Sequence, residues 1–178
     1  MTNWKPALLG LAGMFVAGCA RDGDVAPVAP VMEAQAEIRD AAGRVVANAS
    51  ASQASGRLRV QVEAAGLAPG SYAAHIHTTG RCDPPDFESA GPHWNPTQRQ
   101  HGSQNPQGPH LGDLPNLLVG ANGEGSFELG IGGAELSAGP GPLLDRDGAA
   151  LLIHAGPDDY RTDPSGNSGA RIACGVFG

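Results

Sequence analysis

The chain of 178 residues is long enough for one domain with a real core and too short for two comfortable ones. Glycine (27) and proline (15) lie between short alternating apolar runs and follow no fixed period, which suits an all-β domain with long loops. A formal net charge of -7, with no lysine after Lys5, excludes a nucleic-acid binder, because phosphates demand a basic face.

The first segment, MTNWKPALLGLAGMFVAGCA, carries one basic residue, an apolar run and then small residues, and it is too short to span a bilayer as a mature helix. Residues 1–18 are expected to be a secretory signal. The ending Val16-Ala17-Gly18-Cys19 resembles the bacterial lipobox, in which the cysteine is lipidated and becomes the new N-terminus. Residues 19–33 then read as the lipidated cysteine and a flexible tether, and residues 34–178 as the folded domain. The expected location is outside the cytoplasm, anchored to a bacterial membrane and facing the periplasm or the cell exterior. With Cys19 used by lipid, Cys82 and Cys174 remain as a pair in an oxidising compartment, and a disulfide between them is the default reading.

From Ala34 the runs AQAEIRD, GRVVANAS, GRLRVQVEAAGL and GSYAAHIHTTG alternate with period two between glycine-containing turns, and predict antiparallel strands. Gly80 to Pro115 has no periodicity. A structureless stretch of that length inside a compact domain calls for something other than a core to hold it. Beyond it, LPNLLVGANGEGSFELGIGG predicts a hairpin around Asn122-Gly123, ALLIHA a buried strand, and RIACGVFG a closing strand.

All six histidines fall between residues 75 and 154. On a strand, His75 and His77 point to one face and can present two imidazoles to one ion, although an isolated H-x-H more often marks a polar strand face. The long loop adds His93, His101, His110 and Asp113. Three histidines and a carboxylate complete a tetrahedral zinc set with no open position, the composition of a structural site, and such a site would order a loop that lacks hydrophobic pattern. His154 sits in an apolar strand. Imidazole ligands without thiolate in an oxidising compartment suit copper(II).

The set H-x-H, G-x-C, GPHWNP, HG, HLGDLPNL, IHAGPDDY and GNSGARIACGVFG resembles the copper/zinc superoxide dismutase family, from about Ala34 to the end of the chain. The resemblance implies an eight-stranded Greek-key β-barrel or sandwich with long metal-binding and electrostatic loops. It implies copper on His75, His77, His93 and His154, zinc on His93, His101, His110 and Asp113, and therefore a shared His93. The implied reaction is dismutation of superoxide to oxygen and hydrogen peroxide by a redox-cycling copper, with His93 gaining and losing a proton. Asp158 is implied to link His75 to His101, Arg171 to attract and position the anion, and Cys82 with Cys174 to form the family disulfide. Trp94 stands where a smaller aromatic is common in the family and is expected to pack against the metal loop. Both a monomer and a homodimer are compatible with the sequence.

Two rival functions use the same residues. A metal-storage module would be favoured by a missing ligand or a missing arginine, and neither is missing. A zinc hydrolase needs an open zinc position, which three histidines and an aspartate close.

Overall fold

The computed structural model describes residues 1–2 and 32–178; the leader and Cys19 lie outside the described residues. Among the described residues nine strands follow in chain order: β1 (Met32–Asp40), β2 (Val45–Ala54), β3 (Arg57–Ala65), β4 (Gly70–Tyr72), β5 (Ala74–His77), β6 (Leu117–Val119), β7 (Glu124–Ile131), β8 (Ala150–His154) and β9 (Arg171–Val176). The first begins at Met32, two residues before the expected domain start. β4 and β5 are two parts of the one predicted run GSYAAHIH, interrupted at Ala73, so the runs number eight.

Seven strands form one antiparallel sheet in the order β5-β8-β9-β1-β2-β3-β7, and β4 pairs with β6. The break at Ala73 lets one run serve both. Before it the chain pairs with β6; after it, with β8. β6 turns into β7 through Gly120–Glu124, where the Gly123 N–H donates to Gly120 O at 3.0 Å and Gly123 takes φ 78, a conformation open to glycine. The sheet thereby curls back on itself as a Greek-key barrel, with β7 paired to β3 and β5 paired to β8 rather than to their own chain neighbours.

The core follows from the alternation. Ala34, Ala36 and Ile38 of β1 and Leu58, Val60, Val62 and Ala64 of β3 are buried, while the residues between them are mostly exposed. β5 and β8 differ, because every residue in them is buried. Their inner faces, Ala74 and Ile76 with Leu151 and Ile153, join the barrel core. Their outer faces lie under the long loop, which covers Ala150 and Leu152 with Phe87, Ala90 and the disulfide, a second small apolar cluster. The loop between Gly80 and Pro115 therefore has a core of its own, invisible to periodicity because its members come from an irregular segment. Trp94 is also buried, and it packs into the main barrel core rather than only against the metal loop.

Backbone pairing docks this loop onto the free edge of β5. The Ile76 N–H donates to Gly112 O at 2.9 Å, the Trp94 N–H to Ile76 O at 2.8 Å, and the Gly112 N–H to Trp94 O at 2.9 Å. A Cβ on Gly112 would collide with the Ile76 carbonyl oxygen, so only glycine permits the approach. The Cys82–Cys174 disulfide, across a Cα–Cα distance of 5.6 Å, ties the start of the same loop to β9.

Candidate metal centre

Two strands and one loop bring the histidines together. His75 and His77 leave β5 on its outer face, His154 ends β8 beside them, and isolated bridges from His75 to Asp113 and from His77 to His93 fix the loop above. All six imidazoles are buried. Two groups result, each with its ligand atoms within 4.8 Å of one another: His75, His77, His93 and His154 in one, and His93, His101, His110 and Asp113 in the other. His93 belongs to both.

Hydrogen bonds on the far side of each ring decide which nitrogen keeps its lone pair. His75 Nε2 donates to Asp158 Oδ2 at 2.9 Å, which leaves Nδ1 as the acceptor. His77 Nδ1 donates to the Gly91 carbonyl at 2.8 Å, and His154 Nδ1 has Gly169 O at 3.2 Å and Ser168 Oγ at 3.0 Å, which leaves Nε2 in each. His101 Nε2 donates to Asp158 Oδ1 at 3.0 Å. Five buried ring nitrogens make no well-aligned hydrogen bond: Nδ1 of His75 and His101, and Nε2 of His77, His93 and His154, with His101 Nδ1 nevertheless 3.0 Å from Asp113 Oδ1. An orphaned buried nitrogen is costly. Here the orphans point inward at two shared centres, which is the arrangement that metal ions complete.

In the second group, Asp113 Oδ1 lies 2.9 Å from His93 Nδ1, 3.0 Å from His101 Nδ1 and 3.1 Å from His110 Nδ1, and the His93 and His110 Nδ1 atoms are 3.4 Å apart. A tetrahedron with zinc-to-ligand bonds of about 2.0 to 2.1 Å has edges of about 3.3 Å. Asp113 Oδ2 is engaged elsewhere, accepting the backbone N–H of Gly102 at 2.9 Å and of His110 at 3.0 Å. The carboxylate is held from behind, with one oxygen free to face the histidines.

Electrostatics divide the two groups. Burial pushes His75 down to about 3, His77 to about 2 and His154 to about 4, so all three rings are neutral with available lone pairs. Burial also lowers His101, but the Asp113 and Asp158 carboxylates beside it outweigh burial and raise it to about 9. A ring nitrogen that draws a proton so strongly offers the same lone pair to a dication. Burial would raise both carboxyls, and the histidines around Asp113 and Asp158 instead hold them well below the usual carboxylate range.

Asp158 spans His75 in one group and His101 in the other, and its backbone is clamped by the Asn116 amide: the Asp158 N–H donates to Asn116 Oδ1 at 2.8 Å, and Asn116 Nδ2 to Asp158 O at 2.9 Å. The Asn116 N–H donates to Tyr160 Oη at 2.8 Å, closing the clamp. A Cβ on Gly166 would run into the Asp158 carboxylate and the His101 ring. Arg171 opens β9 beside the first group. Its Nη1 and Nη2 donate to Phe87 O and Gly91 O, each at 2.8 Å, and its side chain is only 16% exposed, so the guanidinium is fixed. It faces a pocket of about 440 Å³ with His77, His93, His154 and Glu88.

Residues 41–177 match the family model of copper/zinc superoxide dismutase (SODC). The chain belongs to this family. The dismutase is 41% identical over 151 residues to superoxide dismutase [Cu-Zn] 1 of Aquifex aeolicus, covering 84% of this chain and 89% of that one. Over 147 residues it is 38% identical to superoxide dismutase [Cu-Zn] of Caulobacter vibrioides, covering 81% and 84%. A crystal structure of a SOD-like protein from Bacillus subtilis superposes with a TM-score of 0.75 at 41% identity, covering 80% of this chain and 96% of that one. The dismutase is accordingly an oxidoreductase that converts superoxide to oxygen and peroxide, with copper and zinc as its metals. The donor chemistry fits them: an all-imidazole group suits copper, and a histidine-rich group with one carboxylate suits zinc.

Several contributors to the dismutase site are absent from the reading of the sequence. Asn116 and Ser168 stand inside quoted motifs, yet neither carries charge or a ligand atom that would single it out. The Gly91 carbonyl has no residue-type signature at all.

Proposed function

We propose that copper is held by His75 Nδ1 and by the Nε2 atoms of His77, His93 and His154, and zinc by the Nδ1 atoms of His93, His101 and His110 with Asp113 Oδ1. His93, which belongs to both groups, would contribute Nε2 to the first site and Nδ1 to the second. The observation that carries this reading is the set of five orphaned ring nitrogens, four of which, on His75, His77, His101 and His154, are aimed toward one of the two centres by a hydrogen bond on the far side of the ring. The zinc position is closed by four protein donors and is structural; it orders the loop that carries His93 and Gly91.

When bound, copper supplies the one-electron couple for the two half-reactions. The remaining work falls to the chain. Arg171, pinned by two carbonyls, presents a fixed positive charge to an anion entering the pocket and orients it toward the histidine cluster. His93 lines that pocket with His77 and His154 and alone of the three belongs to both groups, so its Nε2 is the atom assigned here to hold a proton for the product. Asp158 fixes the tautomers of His75 and His101 and so keeps both lone pairs aimed inward. Export and lipid anchoring through Cys19 rest on the leader and its lipobox, and they agree with a disulfide that needs an oxidising compartment.

The test is metal analysis joined to a dismutation assay. Purified, reconstituted protein should bind copper and zinc in equal amounts and dismutate superoxide, and His93→Gln should weaken retention of both metals. Full loading without activity would favour a metal store, and unchanged zinc retention in His93→Gln would remove the bridge.

A further inference from the structure

The pocket beside the histidines holds one fixed cation and one carboxylate among the residues that line it, Arg171 and Glu88. Glu88 Oε2 lies 3.9 Å from Arg171 Nη2, and the Glu88 side chain is 73% exposed. That is too long and too wet for a strong ion pair, so the carboxylate does little to hold the arginine. Nor is it needed for that purpose, because the guanidinium is already tied to Phe87 O and Gly91 O. Those two carbonyls flank the short 3-10 turn Glu88–Ala90 that carries the glutamate. The spacing between the acid and the arginine is therefore built into one turn of backbone. A negative charge at the mouth of an anion pocket looks like a defect if rate is the only requirement.

We infer that Glu88 is a charge-selectivity residue, which admits a monoanion to Arg171 and rejects multiply charged anions that would otherwise occupy the same guanidinium. The inference rests on the role proposed above for Arg171. Repulsion grows in proportion to the charge of the incoming ion. At about 6 Å in the high dielectric of an exposed rim, a unit charge opposes a monoanion by about threefold in affinity and a dianion by the square of that, about tenfold. Superoxide, a monoanion, loses little, while a phosphate-like dianion is kept out. An arginine fork suits phosphate geometrically, so some such exclusion is required if phosphate is not to compete.

The experiment uses copper- and zinc-loaded protein with azide and inorganic phosphate as probes, at a pH where phosphate is dianionic. Azide affinity is read by optical titration, and phosphate affinity by competition against azide. Glu88→Gln should tighten azide about threefold and phosphate about tenfold at low ionic strength, and both gains should collapse near 1 M salt, where the screening length is about 3 Å. Glu88→Asp, which keeps the charge, should stay close to wild type. Equal gains for the two ions, gains that persist in high salt, or no gain at all would overturn the selectivity role. Arg171→Ala is measured in parallel: if it leaves azide and phosphate affinities unchanged, the failure belongs to the arginine reading, whereas weakened anion binding there with an inert Glu88→Gln isolates the failure to Glu88.

Discussion

His77 and Arg171 donate to the same acceptor, the Gly91 carbonyl oxygen, each at 2.8 Å. One backbone atom thereby sets the tautomer of an imidazole in the first metal group and the position of the guanidinium beside it. Gly91 takes φ 76, and an added Cβ would stand 3.0 Å from Thr78 Oγ1 and 3.2 Å from Thr79 Oγ1. Gly91→Ala should therefore strain the turn by about 1 to 2 kcal/mol and tilt the carbonyl away from both donors. Copper retention and activity are expected to fall together, with zinc content kept. Elemental analysis alongside the assay checks this, and a loss of activity at full copper and unchanged thermal midpoint would show that the shared acceptor does not hold His77.

Asp113 has a different kind of leverage. One of its oxygens faces three imidazoles, and the other accepts two backbone N–H groups of the same loop. Asp113→Ala should lose zinc and leave those donors unpaired, at about 1 to 3 kcal/mol for each one that stays buried. Zinc content and the thermal midpoint are the measurements. Unchanged values for both would remove the carboxylate from the site.

Asn116 touches no metal-group atom, yet its amide holds both backbone polar groups of Asp158. Asn116→Ala should release the segment that aims His75 and His101, lowering metal affinity by about 10- to 100-fold, the usual cost of losing a partner behind a ligand. Competition against a chelator of known affinity reads this directly. An affinity within twofold of wild type would make the clamp a matter of loop stability alone.

The strands were legible because they alternate: β1 and β3 carry their buried residues at every second position, as the runs AQAEIRD and GRLRVQVEAAGL indicate. The histidine spacing likewise announces metal chemistry before any coordinates. What periodicity misses is what backbone does. The interruption at Ala73, the docking of Gly112 on Ile76 and the acceptor at Gly91 depend on carbonyls, which every residue possesses. Phe87 and Ala90 form a small core with Leu152 from opposite ends of the domain, a meeting that no local window contains. Glu88 is equally quiet in sequence, since its neighbour Arg171 is distant along the chain.

Removing the metals should expose a pH dependence of stability with two limbs. Burial holds His75, His77 and His154 at about 3, 2 and 4, below the ordinary value of 6.5. On acidification the unfolded chain takes up protons that the folded chain refuses, so this stabilisation is complete above 6.5 and is lost as pH falls toward 4 and below. His101, raised to about 9 by its carboxylates after burial is offset, acts oppositely: its contribution is full below 6.5 and is lost as pH climbs through 9. Chelator-treated protein should be most stable near neutrality, with a urea midpoint that declines on both sides. A midpoint flat from pH 6.5 to 4 would count against neutral buried imidazoles in the metal-free fold.

The disulfide and Arg171 act on the same piece of chain from two directions. Cys82 anchors the start of the loop to Cys174 in β9, and Arg171, at the head of β9, holds Phe87 O and Gly91 O a few residues further on. Between these attachments lies the cluster of Phe87, Ala90, Ala150 and Leu152. Replacing both cysteines by alanine removes a crosslink across 92 residues, worth about 4 to 5 kcal/mol in the chain-entropy account. The loss should not be spread evenly. His101, His110 and Asp113 are tied together by contacts of their own at the other end of the loop, so zinc should stay bound in whatever fraction remains folded. The carbonyls that pin Arg171 lose one of their two restraints, and anion positioning should suffer first. At a temperature where the variant is still folded, its second-order rate with superoxide is expected to fall severalfold at equal copper and zinc loading. A rate equal to that of wild type, despite the lower thermal midpoint, would mean that the small cluster and the arginine's own hydrogen bonds suffice to hold the loop in place.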